Sequence, residues 1–196
     1  MAHMTDRDLG RIVRLQVQRS PLKEKGRGYD LGPILLVDEA SLDRQGIVGH
    51  DRGSWVLDTH HGAHPKARGG GRRALSIGFV GHYAAMEDRF GSAEVGIAGE
   101  NIIVDTPGRV TEADLIGEVI IHTEGGEVVL TDARVAAPCA EFTSFLKGLD
   151  QVLPKQEQQH DVDFLDEGMP GYILAVEHLE RPVTIRVGDR VTVRSV

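Results

Sequence analysis

Residues 118–135 read Glu118-Val119-Ile120-Ile121-His122-Thr123-Glu124-Gly125-Gly126-Glu127-Val128-Val129-Leu130-Thr131-Asp132-Ala133-Arg134-Val135. Two runs rich in β-branched residues, Glu118 to Thr123 and Glu127 to Val135, flank Glu124-Gly125-Gly126. Branching at Cβ crowds a helix but suits a pleated surface. Glycines between two such runs supply the turn of an antiparallel hairpin. The same signal recurs outward in both directions. Towards the C-terminus, Gly171 to Val176, Val183 to Val187 and Arg190 to Val196 read as strands, with Gly188-Asp189 suggesting a second hairpin between the last two. Upstream, Asn101 to Asp105, Ser54 to Asp58 (Trp55 and Leu57 on one face), Pro33 to Val37 and Gly10 to Gln18 read likewise. In Gly10 to Gln18, Val13, Leu15 and Val17 share one face and Ile12 is out of phase with them. Val plus Ile number 33 against 17 Leu, with 24 Gly. About eight or nine strands are enough for a barrel or a sandwich.

Helices are fewer. Ile77 to Phe90 is one, with Gly78 and Gly81 leaving its start open. Ala140 to Leu149 is another, because Phe142, Phe145, Leu146 and Leu149 fall at i, i+3, i+4 and i+7. Pro154 to His160 reads as a polar surface loop or a frayed helix. The expectation is a mostly β chain with a few helices, an α+β fold closed like a barrel, with residues 5–196 as one domain. Met1-Ala2-His3-Met4 reads as an expression scar.

The chain has 196 residues, 22 Lys plus Arg, 30 Asp plus Glu and a net charge of −8. A chain of this length buries roughly 70% of its unfolded surface and needs no disulfide or metal to fold. Its acidity argues against nonspecific nucleic-acid binding, which needs a basic face. No apolar run approaches the ~18 residues of a membrane span. With no secretory signal and one cysteine, a cytoplasmic location is expected.

Four clusters can carry chemistry. Cys139 follows Pro138 and precedes the second helix, where free N–H groups and the helix dipole favour a thiolate. Arg134 upstream adds positive charge and Glu141 opposes it. A reactive thiol and a buried, inert one both stay open. Ser20 to Gly28 holds Lys23, Lys25 and Arg27. A second Gly-rich loop holds Lys66, Arg68, Arg72 and Arg73. Cations beside bare backbone N–H groups form anion sites, and two solvated loops are the alternative. Asp58-Thr59-His60-His61-Gly62-Ala63-His64 invites a metal reading. Gly62 and Pro65 break the helix that would align the histidines, so no stable zinc site is expected. A polar loop lining an anion pocket, or a plain surface loop, fits better. Gly99-Glu100-Asn101 opens a strand at a point where side chains reach a pocket, or is ordinary turn chemistry.

Taken in order, these pieces resemble the MOSC family, domains related to the C-terminal part of molybdenum cofactor sulfurases. The residues are Gly10 to Val13 with Ser20 to Lys23, Gly46 to Gly53, Arg73 to Ser76, Gly99 to Ile102, Arg134 to Cys139, Gly168 to Tyr172 and Val187 to Val191. The resemblance implies a β-rich, barrel-like fold with a pocket around the cysteine. It implies sulfur carriage, or binding of the molybdenum cofactor (molybdopterin), through Cys139 as sulfur acceptor or molybdenum ligand. It places Glu100, Asn101 and Arg134 in the pocket wall and assigns Lys23 and Arg73 to the cofactor's anionic group. A pyridoxal-phosphate-dependent cysteine desulfurase, as a separate protein, is the implied sulfur donor. Stand-alone bacterial members suggest a second role, cofactor-dependent reduction of N-hydroxylated compounds. A noncatalytic module binding an anionic metabolite is a third. The chain departs from the pattern after Asp51-Arg52, where Gly53 replaces a histidine, and Trp55 to Gly71 reads as an insertion.

Overall fold

The computed structural model describes residues 6–24, 28–67, 75–176 and 179–195. In chain order the elements begin with β1 (Asp6–Gln18), β2 (Lys23–Glu24), β3 (Gly28–Tyr29), β4 (Ile34–Val37), β5 (Glu39–Asp43), β6 (Gly46–Asp51) and β7 (Ser54–Leu57). There follow β8 (Leu75–Phe79), α1 (Val80–Phe90), β9 (Ile102–Val104), a 3-10 turn (Glu112–Leu115), β10 (Glu118–Thr123), β11 (Gly126–Val135) and α2 (Ala140–Leu146). A second 3-10 turn (Lys155–Gln158) leads into α3 (Gln159–Leu165), then β12 (Tyr172–Val176), β13 (Val183–Arg186) and β14 (Arg190–Arg194).

Seven strands close into a barrel in the order β1-β14-β10-β11-β12-β8-β9 and back to β1. β8 and β9 pair in parallel, and the other pairs are antiparallel. β4 pairs with the last residues of β1. A second sheet, ordered β13-β5-β6-β7, shares the barrel's apolar core through Ala40, Leu42, Ile47 and Ile185. The hairpin at 118–135 forms as expected, with Thr123 opposite Gly126. Its inward residues Val119, Ile121, Val128 and Leu130 belong to that core.

The phase conflict in β1 has a structural cause. Leu9, Ile12, Leu15 and Val17 are all buried, at steps of three, three and two. Register shifts at Asp8/Gly10 and Ile12/Arg14 each insert an extra residue. A bulge turns the alternation over, so Val13, expected on the face of Leu15 and Val17, is 43% exposed and Ile12 takes its place.

Three further expectations are corrected. Val183 to Val187 and Arg190 to Val196 do not form a hairpin: β13 pairs with β5, and β14 with β1 and β10. The expected helix at 77 begins at Val80, because Leu75 to Phe79 is held between β9 and β12. The second helix stops at Leu146, and Leu149 lies 40% exposed. Pro154 to His160 leads into α3, whose Val162 and Leu165 are buried. The three helices build a second apolar cluster outside the barrel, with Tyr83 and Met86 from α1, Phe142 and Leu146 from α2, and Leu165 from α3 packed with Ile103. The site lies where this outer layer meets the barrel wall.

Candidate functional site

β11 ends at Val135, and Ala136 to Pro138 carry the chain to α2. Cys139 caps that helix: its Sγ accepts the Phe142 N–H at 3.3 Å. The side chain is partly exposed and lines a pocket of about 230 Å3. Ser76 and Ile173 also line it. They alternate with the core residues Leu75, Ile77, Tyr172 and Leu174, so they stand on the outer face of the wall. Tyr29 faces them from the outer layer, tilted against Phe142 at 5.1 Å between ring centres. Its hydroxyl donates to the carbonyls of Ile97 and Ala98, and burial raises its pKa well above the ordinary value.

Among the residues singled out from the sequence, Lys23, Glu100, Asn101 and Cys139 line this one pocket. Arg134 is exposed on β11 and is not among the lining residues. Arg73 lies outside the described residues, as do Lys25, Arg27, Arg68 and Arg72. Asn101 has no side-chain capacity left for a ligand. Its Oδ1 accepts from the Ser76 N–H and hydroxyl, and its Nδ2 donates to the Gln16 carbonyl and Asp58 Oδ2. That fills both donors and both lone pairs of an amide, so Asn101 shapes the wall. Glu100 is buried, and its Oε2 accepts the Tyr83 hydroxyl at 2.5 Å. Oε1 has no partner among the described residues. Burial pushes its carboxyl up to about 7, against the opposing pull of Tyr83.

The family model for the MOSC domain matches residues 59–192. The chain belongs to the MOSC family. The match starts inside Trp55 to Gly71. Solved structures agree in fold. The YUAD protein from Bacillus subtilis superposes with a TM-score of 0.58 at 16% identity, over 98% of this chain and 99% of that one. YiiM from Geobacillus stearothermophilus gives 0.53 at 19% identity, over 95% and 75%. YiiM from Escherichia coli gives 0.51 at 17%, over 95% and 70%. No curated protein matches the chain.

In this MOSC domain the histidines go to three different partners. His60 Nδ1 lies 2.9 Å from Asp58 Oδ1. His61 is buried, its Nδ1 accepting the Ala63 N–H and its Nε2 lying 3.2 Å from both oxygens of Asp43. His64 Nδ1 accepts the Lys66 N–H. Only His60 of the three lines the pocket. Asp58, singled out from the sequence only as one member of the histidine cluster, is fully buried beneath it. Asp58 is tied to Gln18 and Asn101, 40 and 43 residues away, and no local pattern signals such contacts. Gly46 to Gly53, matched from sequence to a family motif, forms β6 and its turn and does not line the pocket. Among the described residues no helix is long and apolar enough to cross a membrane.

Proposed function

We propose that this MOSC domain carries sulfur on Cys139, accepting it from a donor protein's persulfide and holding it in the pocket until an acceptor takes it. The observation that supports this reading is the place of Cys139, partly exposed in a pocket wall with Sγ against a backbone N–H. In the loading step the Cys139 sulfur attacks the outer sulfur of the donor persulfide. The donor's S–S bond breaks, its electron pair leaves on the donor's cysteine sulfur, and the proton lost by Cys139 ends there. A thiol and a persulfide enter, a thiol and a persulfide leave, and no net oxidation occurs. Lys23, lining the same pocket, supplies a positive charge to the bound anionic persulfide. The chain has one cysteine, so no internal thiol can discharge the sulfur as a disulfide.

The pocket's donor set also fits the molybdenum cofactor in kind. Cys139 would give a thiolate to the metal and Lys23 a counter-charge to the phosphate. About 230 Å3 is below the roughly 300–1,000 Å3 of pockets that bury a drug-sized ligand, so the cavity would take the reactive end and leave the rest at the mouth. When bound, the cofactor would supply redox chemistry. Sulfur carriage needs only the residues of the pocket.

Incubation with a cysteine desulfurase and cysteine is expected to add one sulfur, about 32 Da by intact mass. Cys139→Ser should gain none and stay folded, since serine is a good helix cap. No gain in the wild-type protein, under conditions that load a known carrier, would sink sulfur carriage. Molybdenum bound to protein from a cofactor-making host would then favour reduction of N-hydroxylated compounds.

A further inference from the structure

We infer that His60, held by Asp58, is the proton-handling group of the pocket and serves Cys139. The inference rests on Cys139 being the reacting atom, and it assigns a catalytic role to a residue pair outside the family motifs quoted above. The first observation is the completeness of the Asp58 environment. Oδ1 accepts the His60 backbone N–H at 2.8 Å and lies 2.9 Å from its ring Nδ1. Oδ2 accepts the Gln18 N–H at 2.7 Å and the Asn101 amide at 2.9 Å. Four donors fix a carboxylate that is itself fully buried. Burial opposes its ionisation, but the hydrogen bond and charge of His60 and the N–H groups of Gln18 and His60 outweigh it, and its pKa falls below the usual carboxylate value.

The second observation is what this does to the ring. A carboxylate at Nδ1 makes that nitrogen the donor and leaves the Nε2 lone pair as the base. The ring is half exposed and lines the same pocket as Cys139. His60 is thus a base of fixed tautomer, open to solvent and to an incoming donor, in the same pocket wall as the thiol it would serve. In sulfur loading, His60 Nε2 takes the thiol proton of Cys139 as its sulfur attacks the donor persulfide. It then returns that proton to the donor's leaving thiolate. His60 ends as it began, and the sum is the exchange written above.

The test uses 5,5′-dithiobis(2-nitrobenzoic acid), an aromatic disulfide whose released thiolate absorbs. With one cysteine in the chain, the signal belongs to Cys139. Near pH 7, His60→Gln should react roughly 100-fold more slowly than wild type, at the lower end of what a positioned base contributes. The difference should shrink in alkaline buffer, where a thiol ionises unaided. Asp58→Asn should slow the reaction in the same pH-dependent way. Lys23, Tyr29 and Glu100, the other titratable groups lining the pocket among the described residues, stay unchanged in both variants. Their effects therefore cancel in the comparison. Equal rates for wild type and His60→Gln at pH 7 overturn the inference, and so does a slowing of the same size at every pH, which marks mere loss of shape. If Asp58→Asn fails to fold, His60→Gln still decides, because its side chain is at the surface. The readout needs no sulfur donor. A wild-type protein that takes no sulfur yet shows His60 dependence would retain the base and lose only the sulfur-carrier reading.

Discussion

Glu100 is a carboxyl sealed at the pocket wall, with Tyr83 on one oxygen and no partner on the other among the described residues. Burial raises its pKa from 4.5 to about 7. Between those two values the folded chain holds a proton that the unfolded chain has released. The Glu100 contribution to stability should therefore be full below about pH 4.5, fall as pH rises towards 7, and level off beyond, while buried His82, lowered from 6.5 to about 4, adds a contribution that rises with pH between those two values. A shift from 4.5 to about 7 corresponds to on the order of 3 kcal/mol. Asp58, held below its ordinary value, acts in the opposite direction and only in more acid solution, so the two windows do not overlap. Glu100→Gln keeps an acceptor for Tyr83 and removes the charge. Its urea midpoint should keep only the rise that His82 gives up to about pH 6.5, stay level from there to pH 8, and lie above wild type at pH 8. A difference between variant and wild type that stays constant from pH 5 to 8 would place the titrating group elsewhere. At this scale the sequence was legible where the resemblance reached: Lys23, Glu100, Asn101 and Cys139 do share a pocket. Asp58 and His60 were picked out only as members of a polar loop that could line a pocket, and their pairing was not legible, since it depends on contact with Gln18 and Asn101 across strands.

Gly99 shows how an element's entry is tied to the site. It has φ +89, and a Cβ there would meet Leu22 Cδ1 at 2.6 Å and Gln18 Nε2 at 2.7 Å. Gln18 Nε2 meanwhile donates to the Gly99 carbonyl at 2.7 Å. Close approach of β1's end to the start of β9 thus requires glycine at this point, and Glu100 and Asn101 are aimed by it. Gly99→Ala should cost about 1–3 kcal/mol through strain at positive φ and the clash. It should also displace the Asn101 contacts to Ser76 and Asp58, visible as changed amide shifts for those residues. An unchanged melting point would mean the wall yields at no cost. Elements with unbroken β-branched alternation, such as β10 and β11, were plain from the sequence. β5 and β6 were not, because Ala40, Ser41, Gly46 and Gly49 carry little strand signal and are placed by pairing with β13 and with each other. In β1 the pattern was present but broken by bulges, which no count of periods can foresee.

The barrel is a ring only because β14 lies between β1 and β10, with Asp6 opposite Arg194 and Glu118 opposite the same residue. The Arg194 side chain spans the seam, bonded to Asp6 on β1 and to Glu127 on β11. Removing residues 190–196 would leave β1 and β10 as open edges and expose the core beneath Val191 and Val193. Such edges pair with other chains. The truncated chain should elute as soluble aggregate and lose its cooperative thermal transition, and a monomer melting like the full chain would show the seam to be dispensable. A closed barrel was legible from strand count and resemblance. The order of strands was not, because Gly188-Asp189 looks like a hairpin turn while the chain there changes sheets.

The pairing of β1 with β14 also sets a clock on synthesis. β1 (Asp6–Gln18) is made well before its antiparallel partner β14 (Arg190–Arg194), with every other barrel strand between them in the chain. Ribosomes add roughly 5–20 residues per second, so the first strand waits on the order of 10–40 s before its mate leaves the exit tunnel. During that interval Leu9 and Ile12 belong to a half-built wall, and the hairpin at 118–135 has an unoccupied edge. Nascent chains of this protein are therefore the form most exposed to mispairing between neighbouring polysomal copies, whereas the finished barrel offers no such edge at its seam.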